Sequence, residues 1–153
     1  MRLVLSVDPG KASGIALFKF DPVAPVLLRS GEYQQEEYAE PIRIAIKEAV
    51  ESNYDLDVVC ERFTINAQTV KNSQAPFSIE QIGILKQCML DASLDISRIN
   101  FQSPSDAKGM FTNQALKKLE YWHKGGEGHA LDAIRHGLLR CVKIGWKPIK
   151  LLQ

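Results

Sequence analysis

The stretch VLSVDPGKASGIALF, residues 4–18, joins two apolar runs through an aspartate and a tight turn. Alternation of residue type from position 2 to position 8 predicts a buried β-strand that ends in the aspartate. The Pro9-Gly10 pair then ends the strand. Apolar runs over 14–20 and 25–33 predict two further strands after short connections. We therefore expect these three strands to form an antiparallel meander.

The rest of the chain alternates between helical and strand patterns. Apolar residues at helical spacing predict helices, and short apolar runs predict strands. In chain order these are a helix over 36–52, a strand over 56–63, a polar loop over 64–76, a helix over 78–92, a strand over 99–102, and helices over 113–122 and 128–142. Strands followed by alternating strands and helices predict a layered α/β domain with a mixed sheet. We expect one domain over residues 1–153, because the chain shows no repeat and no boundary.

The net charge of +1 conceals two regions of opposite sign. Residues 1–102 carry ten Lys/Arg and fourteen Asp/Glu, whereas residues 103–153 carry nine and four, together with all three histidines. The neutral total argues against a general nucleic-acid coat protein, but the basic region indicates a face suited to a polyanion. The chain has no apolar run of the ~18 residues that a membrane helix needs, no signal-peptide pattern, and three widely spaced cysteines. We therefore expect a cytoplasmic protein with no membrane partner.

Four metal-competent side chains lie at the ends of predicted elements. Asp8 ends the first strand, Glu61 lies near the end of the fourth, and His129 and Asp132 begin the last helix. His129 and Asp132 are three residues apart, so one helix face can offer both to one metal site. Carboxylates and imidazole suit Mg²⁺ or Mn²⁺, and two such ions can activate water for in-line displacement at phosphorus. Each residue alone is compatible with a structural role, which is also the simpler explanation for His136.

Three segments resemble the RuvC-type Holliday-junction resolvases of the RNase H-like superfamily: VLSVDPGKASGIALF, VVCERF (58–63) and GHALDAIRHGLL (128–139). The resemblance covers residues 3–140. It implies an RNase H-like three-layer fold with a mixed five-stranded sheet flanked by helices. It also implies two Mg²⁺ ions, for which Mn²⁺ would substitute, and a homodimer that nicks branched DNA symmetrically. By position, the catalytic and metal-binding set is Asp8, Glu61, His129 and Asp132. The short chain suggests a compact bacteriophage member, acting in a bacterial or phage-infected cell.

Basic and aromatic residues near the proposed site are candidates for DNA contacts. Lysines contact phosphates without reading sequence, and the candidates are Lys11, Lys71, Lys108, Lys117 and Lys118. The resemblance adds Phe63, because the loop after Glu61 reaches the junction centre in that family. Phe111, Tyr121 and Trp122 could stack on unpaired bases, although packing in the core is the simpler role for most of them.

Three functions remain open from the sequence. The first is a crossover junction endodeoxyribonuclease that resolves four-way junctions by paired nicks. The second is a nuclease of the same fold that acts on forks, flaps or RNA–DNA hybrids. The third is a module that binds branched DNA without cleaving it. A phosphate-binding P-loop is excluded, because Ala12 follows Gly10-Lys11 where Ser or Thr belongs.

Overall fold

A mixed five-stranded sheet forms the centre of the structure, a computed structural model that describes residues 1–68, 75–123 and 128–152. Its strands are β1 (Arg2–Asp8), β2 (Ala12–Lys19), β3 (Val26–Gln34), β4 (Asp55–Glu61) and β5 (Asn100–Gln102). They lie in the order β3-β2-β1-β4-β5. The first three strands pair antiparallel, and β4 and β5 extend the sheet parallel to β1. The predicted meander and mixed sheet are therefore confirmed.

Helices cover both faces of this sheet. The helices are α1 (Ala39–Glu51), α2 (Ala75–Asp91), α3 (Pro104–Met110), α4 (Asn113–Lys118), α5 (Gly128–Lys143) and α6 (Ile149–Leu152), with a 3₁₀ turn at Ile96–Arg98. Odd-numbered residues of β1 pack in the core with α1 and α2, whereas Val4 packs with α3, α4 and α5 on the opposite face. This is the expected three-layer arrangement. No helix within the described ranges is both long and apolar enough to span a membrane.

Close contacts with the sheet fix the position of α5. Gly14 of β2 meets the start of the helix, where an added Cβ would lie 1.8 Å from the carbonyl oxygen of His129. The hydroxyl of Ser6 donates a hydrogen bond to the carbonyl oxygen of Ala133 at 2.6 Å. Further along, an added Cβ on Gly137 would lie 2.4 Å from the ring of Phe18. Glycine at both positions therefore lets α5 approach the sheet closely enough to bring its first turn against β1 and β2.

Most predicted elements differ from the observed ones by a few residues. The helix predicted over 113–122 ends at Lys118, because Glu120 adopts a left-handed backbone conformation with φ of 66°. The loop predicted over 64–76 is shortened by α2, which begins at Ala75. Within α2, Leu85 and Met89 enter the core, whereas Ile79 is exposed, although all three are apolar residues of the helix predicted over 78–92.

Candidate active site

Asp8 is a buried carboxylate at the end of β1, only 4% exposed. His129 Nδ1 lies 2.9 Å from its Oδ2 and donates a hydrogen bond to it. Burial raises the pKa of Asp8 to about 6; the hydrogen bond from His129 opposes this shift, and the negative charge of Glu61 adds to it. The same hydrogen bond raises the pKa of His129. Asp8 is therefore a carboxylate whose ionised form a nearby cation would favour strongly.

Glu61 lies at the end of β4 and meets α5 through a buried histidine. The Nε2 atom of His136 lies 2.9 Å from Glu61 Oε2, and its Nδ1 atom lies 3.0 Å from Gln102 Oε1. The side chain of Glu61 is 21% exposed, whereas that of His136 is 1% exposed. The three residues come from β4, α5 and β5, so this contact joins two strands and a helix at one edge of the sheet.

Asp132 lies in the second turn of α5 and bonds to two cationic side chains. Arg135 Nη1 donates to Oδ1 at 2.5 Å, and Lys108 Nζ lies 3.0 Å from Oδ2. Arg135 is itself buried and held in place, because its Nε donates to the carbonyl oxygen of Phe111 at 2.8 Å and its Nη2 donates to Asn113. Lys108 is by contrast exposed at the surface. Asp132 thus has one rigid cationic partner and one accessible one.

The four predicted ligands lie near one another, but they form three separate contacts: Asp8 with His129, Glu61 with His136, and Asp132 with its two cationic partners. β1 and β4 run parallel with Val7 opposite Cys60, so Asp8 and Glu61 follow at the same end of adjacent strands. The charges of Glu61 and Asp132 both raise the pKa of Asp8, which places the three carboxylates near one another. Across residues 1–68, 75–123 and 128–152, however, no three His, Cys, Asp or Glu side chains converge closely enough to hold a metal ion.

The donor set nevertheless fits a divalent cation in its chemistry. Carboxylate oxygens and imidazole are suitable ligands for Mg²⁺ and Mn²⁺. In the neutral tautomer that donates Nδ1–H to Asp8, His129 keeps the lone pair on Nε2 for a ligand. The raised pKa of Asp8 reflects burial and crowded negative charge, both of which a cation would counter. For Asp132 to share a cation with His129, as the helix spacing predicts, its Oδ2 would have to exchange the bond to Lys108 for a bond to the cation.

The predicted DNA contacts occupy varied positions. Lys11 and Lys118 are exposed, and Phe63 is half-buried beyond the end of β4. Lys71 lies outside the described residues. Phe111 is fully buried and stacks on Trp146 with ring centroids 6.0 Å apart, so it is unable to stack on a base.

A cleft of about 530 Å³ adjoins Asp132. It is lined in part by Lys108, Thr112, Asn113, Trp122, Asp132 and Arg135. At its edge, Lys117 Nζ lies 4.9 Å from the ring centroid of Trp122, a cation–π contact. Of the predicted phosphate-binding lysines, Lys108 therefore lines this cleft beside Asp132, and Lys117 contacts Trp122, which lines it as well.

The sequence interpretation missed several residues of the site. His136 follows Asp132 by one helical turn, which was a readable signal, but its contact with Glu61 depends on the tertiary fold. Arg135 follows Asp132 by three residues and is likewise readable as a local pair. Glu32 of β3 lies opposite Gly14, which lies opposite Asp8, and its charge contributes to the raised pKa of His129. No local pattern marks Glu32.

The sheet order, the two helical layers and the placement of α5 define an RNase H-like fold. Among solved structures, Thermus thermophilus RuvC in complex with a Holliday junction substrate matches with a TM-score of 0.65 and 15% identity, covering 95% of this chain and 97% of that chain. A second structure of Thermus thermophilus RuvC matches with a TM-score of 0.65 and 16% identity, covering 94% and 96%. The chain thus shares the fold of these RuvC structures, as the resemblance implied. No protein-family model matches the chain, and no curated protein matches it significantly.

Proposed function

We propose that this protein is a divalent-metal-dependent endonuclease that cleaves branched DNA, with four-way junctions as its leading substrate. The observation that carries the proposal is the meeting of Asp8, Glu61 and the first turns of α5 at one end of two adjacent parallel strands. This arrangement lies on a fold that matches a RuvC structure bound to a Holliday junction. We further propose a bacteriophage origin, and a single nuclease domain over residues 1–153.

The residues proposed to hold two Mg²⁺ ions, or Mn²⁺ in their place, are Asp8, Glu61, His129 and Asp132. Such ions supply an activated water and stabilise the attacking and leaving oxygens of phosphodiester hydrolysis. His129 orients Asp8 through its Nδ1 proton. Arg135 is anchored by Phe111, directly after α3, and by Asn113 at the start of α4. It keeps a fixed positive charge beside Asp132, where it limits repulsion among the carboxylates.

The proposed DNA-binding residues are Lys11, Lys71, Lys108, Lys117, Lys118 and Phe63. Lys108 has a specific role in this proposal, because its exposed ammonium group now bonds to Asp132. A phosphate oxygen entering the cleft offers an alternative partner to that ammonium group, and the exchange frees one oxygen of Asp132. Substrate binding and completion of the ligand set are thereby coupled.

We also propose that the protein acts as a homodimer, since paired symmetric nicks require two sites related by a two-fold axis. The outer surface of α1 and α2 supports this proposal with exposed apolar side chains at Ile44, Val50, Ile79 and Leu90. Sedimentation velocity of the unmodified chain is expected to give a dimer, and a Val50→Glu variant is expected to shift it toward monomer. A monomer at every concentration that supports paired nicking would contradict this part of the proposal.

The substrate is tested by comparing a four-way junction, a replication fork, a flap and an RNA–DNA hybrid under identical conditions with Mg²⁺, Mn²⁺ or a chelator. Resolution predicts metal-dependent cleavage of the junction at paired positions on opposing strands. Preferential cleavage of the fork, flap or hybrid assigns the nuclease to another substrate. Tight junction binding in chelator without cleavage in either metal indicates a module that binds branched DNA only.

A further inference from the structure

We infer that His136 is a positioning residue that orients the carboxylate of Glu61, with Gln102 holding the imidazole ring in place. The inference rests on the proposed function, because it concerns the same metal site. Its basis is the continuous contact from Gln102 to His136 Nδ1 at 3.0 Å and from His136 Nε2 to Glu61 Oε2 at 2.9 Å. Glu61 forms the outer end of this chain and is its most exposed member.

The direction of the hydrogen bond follows from the chemistry of its partners. An ionised carboxylate has only acceptor oxygens, so His136 Nε2 donates to Glu61. A neutral ring then accepts at Nδ1, and the Gln102 amide meets it as a donor when its amide group is turned, because Gln102 Nε2 is buried without another partner among the described residues. The bond engages Oε2 alone. Glu61 can therefore keep this bond while its other oxygen binds a cation, in contrast to Asp132, whose two oxygens both bond to cationic groups.

Burial of His136 argues that this contact is specific. The side chain is 1% exposed, and burying an imidazole is unfavourable unless both of its nitrogens find partners. An apolar side chain would fill the same space without that desolvation cost. The polar ring at this position is accounted for by the two groups that it joins, one on β4 and one on β5.

A neighbouring pair provides an internal comparison. Asp57 lies on the same face of β4 as Glu61, and Arg140 lies one helical turn after His136 on α5. Arg140 forms a bidentate pair with Asp57, with Nε and Nη2 each 2.8 Å from a carboxylate oxygen. This pair joins the same helix to the same strand, but neither member belongs to the proposed ligand set. Removal of the Asp57–Arg140 pair therefore weakens the attachment of α5 to β4 without changing a proposed metal ligand. It serves as the control for the effect of removing His136.

The test is calorimetric titration of the full chain with Mn²⁺ alone, without DNA. A His136→Phe variant keeps a ring in the core and removes the donor, and we expect it to weaken Mn²⁺ binding by about tenfold or more, as loss of a group that orients a metal ligand usually does. A His136→Gln variant restores an N–H donor, and its affinity is expected to return to within about threefold of the unmodified chain. The double variant Asp57→Asn with Arg140→Met is the control, and its affinity is expected to be unchanged.

Each outcome of this titration has a defined meaning. Equal Mn²⁺ affinity in His136→Phe and the unmodified chain overturns the positioning role and leaves the proposed function intact. Equal losses in His136→Phe and in the control pair also overturn it, because attachment of α5 then explains the effect. Absence of Mn²⁺ binding by the unmodified chain contradicts the proposed metal site itself. If His136→Phe fails to fold, Gln102→Met replaces it: weakened binding supports the role, and unchanged affinity overturns it.

Discussion

Replacement of Asp8 by asparagine is expected to stabilise the folded protein near neutral pH while it removes activity. The Asp8 carboxyl group is almost fully buried, and its pKa is raised from 3.8 to about 6. A group whose pKa is higher in the folded state favours folding at low pH, and that contribution is lost as the pH rises from about 4 through about 6. The shift of the Asp8 pKa from 3.8 to about 6 therefore lowers the free energy of unfolding by about 3 kcal/mol at neutral pH, relative to low pH. Asparagine avoids this penalty, and its Oδ1 still accepts a hydrogen bond from His129.

Urea unfolding of both proteins in chelator, near pH 7 and near pH 4, measures this effect. Near pH 7 the variant is expected to have a free energy of unfolding about 1–3 kcal/mol higher, and near pH 4 the difference is expected to approach zero. Added Mg²⁺ is expected to stabilise the unmodified protein and to have less effect on the variant. A variant that is equally stable or less stable near pH 7, or a difference independent of pH, would refute the electrostatic account of Asp8.

Three further substitutions test the placement of α5 and the basic surface. Gly14→Ala puts a Cβ 1.8 Å from a backbone oxygen of His129, so we expect about 3 kcal/mol or more of destabilisation in thermal unfolding, with loss of cleavage; near-normal stability and activity would contradict the close approach. Gly137→Ala meets the Phe18 ring and is expected to cost about 1–3 kcal/mol in the same assay; an unchanged unfolding temperature would refute the overlap. Lys108→Gln is expected to lower junction affinity and to reduce the salt dependence by about one phosphate contact in fluorescence anisotropy; an unchanged slope would remove it from the DNA surface.

Local patterns predicted the strands, the antiparallel meander and most of the helices, whereas the five-stranded sheet was implied by the family resemblance. Side chains alternate between the two faces of β1, so the sequence shows which of its residues face α5. The same alternation places Asp8, at the end of the strand, on that face. The helix predicted over 113–122 is too long, because Glu120 takes a left-handed conformation that ends it. The spacing of apolar residues carries no information about the sign of φ at that position. Similarly, spacing alone did not show that α2 leaves Ile79 exposed.

The sequence predicts a candidate site as a set of residues, but it does not predict the contacts that those residues make. Asp8, Glu61, His129 and Asp132 stand out because each lies near the end of a predicted strand or at the start of a predicted helix. Their hydrogen-bond partners come from distant parts of the chain, and no local rule brings a histidine on α5 against a glutamate on β4. Arg135 is the exception, since its distance of three residues from Asp132 is a helical neighbour relation.

Cleavage of a four-way junction under single-turnover conditions in Mg²⁺, by the unmodified chain and by Asp8→Asn, tests the central claim most directly. The account predicts that the unmodified chain nicks two opposing strands and that a chelator abolishes cleavage. It also predicts that Asp8→Asn, folded and still binding the junction, leaves the DNA intact. Metal-dependent cleavage that persists at an unchanged rate in Asp8→Asn would contradict the assignment of this site.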